Sequence, residues 1–318
     1  MDKPKTTGVQ HVGIGVRDID VSRKFYRDVL ECNQVWSDFG RLHNIMPDFF
    51  RTSPHVINGW MYAQQQEGII IECIQRYTPA PRPIHNDSRF GDIGVNKLTV
   101  EVNNVDTFVE GYKDKIRLLC EPKAIDIPGW GDYKFVYGAD PDGCLIEFIS
   151  SSKLKLDNNL GRIRSLGISV TDLERSLDFY QKYIDFDTIV IEPHDRFSGL
   201  VGEVSGNGDT QVRSCLLANS NGYHMLELYE VSNPRGRSIP FHVLWGDYGY
   251  LEGCYLCDDI LGLTRYFLEE QVEFVCNPTS LQHDEDDGSI RTDWFMYVRD
   301  PDGILVEFVE LPGSSQEI

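Results

Sequence analysis

The feature that most constrains this chain is that it is written twice. The segment "HVGIGVRDIDVSRKFYRDVL" from His11 returns as "SLGISVTDLERSLDFYQKYI" from Ser165, an offset of 154 residues. The far ends of the two copies agree as well: "YKFVYGADPDGCLIEFIS" from Tyr133 matches "DWFMYVRDPDGILVEFVE" from Asp293, an offset of 160. Self-similarity of this kind decides architecture before any single residue does. Each copy divides again, because "KLTVEVNNVDTFVEGY" from Lys97 and "EGCYLCDDILGLTRYF" from Glu252 repeat one order of strand, turn and helix. The chain is therefore built from four modules.

Within the third module, Leu173, Leu177, Tyr180 and Ile184 recur at helical intervals, and Thr171 stands three residues before Glu174 with capping-box spacing. Each helix is followed by alternating strands and closes on an apolar strand that carries one glutamate. These are Glu72 in "GIIIECIQ", Glu147 in "CLIEFIS", Glu227 in "HMLELYE" and Glu307 in "ILVEFVE". The module reads βαβββ, and the fold class is α+β. The two Asp-Pro-Asp-Gly segments suit type I turns, with Pro second and Gly fourth. Residues 151–160, SSKLKLDNNL, are polar and unpatterned, which predicts a linker between a first half, 1–150, and a second half, 161–318.

A chain of 318 residues, 41% hydrophobic, is long enough for two ordinary domains with a sizeable core. No apolar run approaches the roughly 18–20 residues of a membrane span, and the opening MDKPKTTG has no signal-like stretch, so a cytoplasmic protein is expected. A formal charge of −20 disfavours a phosphate backbone or an anionic membrane surface as partner. The eight cysteines fall mostly in apolar strand-like segments and read as reduced, buried thiols. Cys254 and Cys257 spell CxxC, but residues three apart in a strand face opposite ways, so one metal does not easily collect both. The acidic run at 283–288 reads as a solvated loop tip.

The last-strand glutamates carry their own signal. A carboxylate among apolar strand residues costs several kcal/mol if it is buried unpaired, so a cation, a metal or a retained proton must compensate it. His11, at the head of an apolar strand, needs partners of the same kind.

Four βαβββ modules, the H-x-G-I-x-V-x-D opening, the Phe-Tyr pair on each first helix and the two closing DPDG-x-L-(I/V)-E-F strands together resemble the vicinal oxygen chelate superfamily, over residues 8–311. That superfamily includes glyoxalase I, methylmalonyl-CoA epimerase, extradiol dioxygenases, fosfomycin-modifying enzymes and bleomycin-binding proteins. The resemblance implies that two modules form a cup whose metal ligands come from the first and last strand of each. The first-strand positions are His11, Lys97, Ser165 and Glu252; the last-strand positions are Glu72, Glu147, Glu227 and Glu307.

If modules pair within halves, Lys97 sits in the cup of His11, Glu72 and Glu147 and repels a divalent ion. If module one pairs with four and two with three, one cup collects His11, Glu72, Glu252 and Glu307, and the other holds Lys97, Glu147, Ser165 and Glu227. The exchanged arrangement is favoured, because one imidazole and three carboxylates bind one divalent ion, Mn, Fe, Ni, Co or Zn, with room left for substrate.

The chemistry this implies is metal-assisted proton transfer beside a carbonyl, with Glu307 or Glu72 as base, in an isomerase, epimerase or lyase acting on a small oxygenated molecule. A ring-cleaving dioxygenase is the alternative, though it needs a second histidine where Glu252 stands, unless His43, His55, His194, His242 or His283 enters from a loop. His224, three residues before Glu227, reads as structural. A metal-free binding protein with Trp60, Tyr62, Trp130 and Trp245 as an aromatic cup is the third possibility. Either a monomer or a homodimer can complete such cups.

Overall fold

The computed structural model describes residues 3–44, 50, 54–65, 67–222, 224–284 and 290–311; most of the acidic run lies outside them. Module one comprises β1 (Thr6–Gly15), α1 (Ile19–Leu30), β2 (Gln34–His43), β3 (Val56–Ala63) and β4 (Ile70–Thr78). Module two comprises β5 (Gly94–Val102), α2 (Val105–Tyr112), β6 (Arg117–Leu118), β7 (Lys123–Ile127), β8 (Gly131–Ala139) and β9 (Leu145–Ser150). Its two-residue β6 is an addition to the βαβββ pattern. Module three runs from β10 (Leu160–Val170) through α3 (Leu173–Ile184), β11 (Thr188–His194), the short α4 (Gly202–Ser205) and β12 (Gln211–Ala218) to β13 (Met225–Asn233). Module four comprises β14 (Gly249–Cys257), α5 (Ile260–Glu269), β15 (Phe274–Asp284), β16 (Ile290–Arg299) and β17 (Leu305–Glu310).

The strands form two sheets, and each sheet takes one module from each half of the chain. The first has the order β15-β16-β17-β14-β1-β4-β3-β2; the second has β11-β12-β13-β10-β5-β9-β8-β6, with β7 paired on β8. Modules one and four thus share a sheet, as do two and three. The joins are antiparallel, β1 on β14 and β10 on β5.

Strand alternation then sorts the faces. Val12 and Ile14 of β1 enter one continuous core with Leu166 and Ile168 of β10 and the buried faces of the helices. His11 and Gly13 take the opposite, concave face. Burying a large apolar side chain in that core contributes about 1.5–3 kcal/mol.

The helix openings explain two of the repeated motifs at once. Asp18 caps α1, accepting from the backbone N–H groups of Asp20 and Val21. At α3 the cap is Asp172, which accepts from the N–H of Arg175, and not Thr171 as the capping-box spacing suggests. Thr171 is occupied elsewhere: its N–H and hydroxyl both donate to Asp302 in the second Asp-Pro-Asp-Gly turn. In the first half, Asp142 of the equivalent turn accepts from Arg17. The Phe-Tyr pairs meet the same turns, since the Tyr26 hydroxyl donates to Asp140 at 2.8 Å and that of Tyr180 to Asp300 at 3.3 Å. These contacts join module one to two and module three to four, across the sheets.

Residues 1–150 and 161–318 produced as separate chains in one cell are expected to copurify as a one-to-one complex, because β1 and β5 leave the first half unpaired without β14 and β10. Two halves that purify apart as folded monomers would contradict the exchanged sheets.

Candidate metal centre

The central ladder of the first sheet places the residues. Gly13 of β1 lies opposite Glu252 of β14 and opposite Glu72 of β4, while His11 lies opposite Cys254, which in turn lies opposite Glu307 of β17. All four predicted ligands, His11, Glu72, Glu252 and Glu307, therefore come to one sheet on four adjacent strands, and each is at least 95% buried. Lys97, Glu147 and Glu227 meet in the other sheet.

Glycine makes this possible. A Cβ on Gly13 would stand 1.8 Å from Glu252 Oε1, so only a glycine leaves space for the glutamate to lie across β1. The Trp245 indole N–H donates to the same oxygen at 3.3 Å and fixes the carboxylate from its other side. A bulge between Val9 and His11 lets Gln10 and His11 both line the cavity. Gln10 Oε1 contacts His11 Nδ1, and Nε2 faces the carboxylates.

Nε2 lies 3.0 Å from Glu307 Oε2 and 3.5 Å from Glu72 Oε2. Neither contact has hydrogen-bond geometry. His11 Nε2 and the Oε2 atoms of Glu72, Glu252 and Glu307 are all buried without a hydrogen-bond partner. Burial, the largest influence on His11, opposes its charged form, but the neighbouring Cys254, Glu72 and Glu307 outweigh it and hold the imidazole well above its usual range. Burial likewise raises Glu72, and raises Glu252 strongly with Glu307 and Glu72 beside it. A site with this many unsatisfied donor atoms in low dielectric is costly as it stands, at about 1–3 kcal/mol or more for each group. His11 and Glu307 are placed to share a divalent cation, with Glu72 3.5 Å from the imidazole, whereas Glu72 and Glu252 fall outside the group whose ligand atoms all lie within 4.8 Å of one another.

The cluster opens onto a cavity of about 230 Å³ with walls that include Trp36, Phe39, Trp245, Trp294 and Phe295. The aromatic lining differs from the expected one, since only Trp245 of the four named aromatics takes part. Trp60 stacks on Tyr62 beneath Arg23, and Trp130 lies under Arg164. Among residues with described side chains, His11 is the only histidine lining the cavity. His55 stacks on Phe50 and His242 meets Arg299. His224 bridges the carbonyl oxygens of Val9 and Glu67, a structural position.

Cys254 joins the site without having been expected there. Its sulfur and the ligand atoms of His11 and Glu307 all lie within 4.8 Å of one another. The signal is present in the spacing, because a residue two after Glu252 shares its face of the strand. Cys257 does face away, into the common core.

In the second cup an ammonium stands among the glutamates. Lys97 Nζ is 2.8 Å from Glu147 and 2.9 Å from Glu227, with every group buried. Thr99, Tyr133 and Tyr137 donate further bonds to Glu147. Gly167 plays the part of Gly13, since its Cβ would stand 2.5 Å from Lys97 Cγ. The remaining cavity is only about 20 Å³, as Phe197, Val201 and Val204 pack into the cup.

Two substitutions test this geometry. Gly13→Ala is expected to displace Glu252 and to cost about 1–3 kcal/mol in denaturant unfolding. Lys97→Met leaves two buried carboxylates facing each other and is expected to cost about 3–5 kcal/mol, with part recovered by adding Glu147→Gln.

Among the described residues no helix is long and apolar enough to cross a membrane. No curated protein sequence matches the chain. Solved structures do: glyoxalase I from Zea mays aligns over 96% of this chain and 92% of its own, at 17% identity and a TM-score of 0.59. A point mutant of the same maize enzyme aligns over the same shares at 18% identity and a TM-score of 0.60. A putative dioxygenase from Bacillus subtilis aligns over 97% and 86%, at 14% identity and a TM-score of 0.53. The family model for the Glyoxalase/Bleomycin resistance protein/Dioxygenase superfamily matches residues 8–148 and again 162–308, and the chain belongs to that superfamily.

Proposed function

We propose that this protein is a divalent-metal-dependent isomerase, epimerase or lyase that moves a proton beside a carbonyl of a small oxygenated substrate. The observation that carries this reading is the set of four buried ligand atoms without a hydrogen-bond partner on four adjacent strands, of which those of His11, Glu72 and Glu307 belong to residues that line the roomier of the two cups. His11, Glu72, Glu252 and Glu307 would hold the ion. When bound, it supplies Lewis-acid stabilisation to an oxygen on which negative charge develops.

The rest is the work of the chain. Glu72 and Glu307 stand on opposite sides of His11, on β4 and β17, so one can take a proton from carbon while the other returns one. Trp245 keeps Glu252 in place, and the aromatic walls exclude water from the reacting carbon. Ring cleavage is disfavoured because Glu252 occupies the position where a second histidine would be needed, and no other described histidine side chain lines the cavity.

Metal content by plasma mass spectrometry is the test. The parent and a Thr99→Ala control are expected to carry about one transition metal per chain, and His11→Ala and Glu252→Ala to lose it. Under anaerobic conditions with manganese, nickel or cobalt, a panel of hydroxycarbonyl compounds in deuterated water is expected to yield one that gains deuterium at the carbon next to the carbonyl. A parent without metal after reconstitution, or turnover only with iron(II) and oxygen, would refute the proposal.

A further inference from the structure

We propose that Cys254 is a direct metal donor in the first cup, an inference that rests on the reading of that cup as a metal centre. Cys254 is fully buried at the floor of the cup, with His11 beside it on β1 and Glu307 beside it on β17. The three residues form an unbroken row across the sheet, and their ligand atoms lie within 4.8 Å of one another. His11 Nε2 and Glu307 Oε2 lie 3.0 Å apart, and both are buried without a hydrogen-bond partner.

The second cup supplies an internal control for the direction of this side chain. The position equivalent to Cys254 is Thr99, two residues after Lys97 as Cys254 is two after Glu252. The Thr99 hydroxyl donates at 3.0 Å to Glu147, the counterpart of Glu307. A short side chain at this register position thus reaches the centre of its cup. In the first and third modules the same position is Gly13 and Gly167, where nothing but the neighbouring long side chain fits. Cys254 is therefore the chain's own addition to the nitrogen and oxygen donors. Coordination replaces its S–H bond with a sulfur–metal bond and releases the proton to solvent. A thiolate shifts preference from manganese and magnesium toward zinc, cobalt, nickel and iron(II).

The full-length protein, stripped and reloaded anaerobically with cobalt(II), gives a direct readout. About one cobalt per chain is expected, with a sulfur-to-cobalt charge-transfer band in the near ultraviolet. Cys254→Ser is expected to keep the cobalt, lose that band and drop its zinc-over-manganese preference at least about tenfold. His11→Ala, which keeps every thiol, is expected to lose metal and band together. Cobalt bound to the parent without the band, or a band that survives Cys254→Ser or His11→Ala, would overturn the assignment while leaving the metal centre standing. A parent that binds no cobalt would overturn both. The parent spectrum decides the matter even if the serine variant fails to fold.

Discussion

Everything in this molecule depends on two antiparallel joins, β1 with β14 and β5 with β10. Each bonds a strand of one half to a strand of the other, and each carries a buried ionisable side chain across its centre. Glu252 lies over Gly13, and Lys97 lies over Gly167. Moving either pairing by one residue would turn those side chains into the apolar core. The joins thus fix, in one stroke, which modules share a cup and which side chains meet there.

From the same floor the two cups develop opposite chemistry. In the second, a lysine already satisfies the two last-strand glutamates, and apolar side chains fill most of the volume above it. In the first, a buried glutamate stands at the position of that lysine, with His11 where the second cup has Ser165, and the space above stays open.

Much of this is legible in the residues. The duplication and the strand periods define the modules, and the hostility of Lys97 to a cation argues for the exchanged pairing. The solitary glutamates mark their own burial. What is not legible depends on tertiary contact. Nothing near Thr171 shows that Asp302, more than a hundred residues on, claims its hydroxyl and leaves the cap to Asp172. Cys254 invites comparison with Cys257, its neighbour in sequence, while its partners are across the sheet. The aromatic lining departs from expectation because Trp60 and Trp130 are held by Arg23 and Arg164, and neither arginine lies close in sequence.

The contacts at the Asp-Pro-Asp-Gly turns close a circuit. The sheets tie module one to four and module two to three, while the turns tie one to two and three to four. Walking from module to module through noncovalent contacts alone returns to the start, so the four form a ring that the covalent chain merely threads. Each module is tied to one neighbour through a sheet and to the other through a turn. Such a ring is expected to unfold as one body. Rigidity reaches the first cup by the same route: its two modules are clamped to each other by a sheet and, through the other pair, from behind.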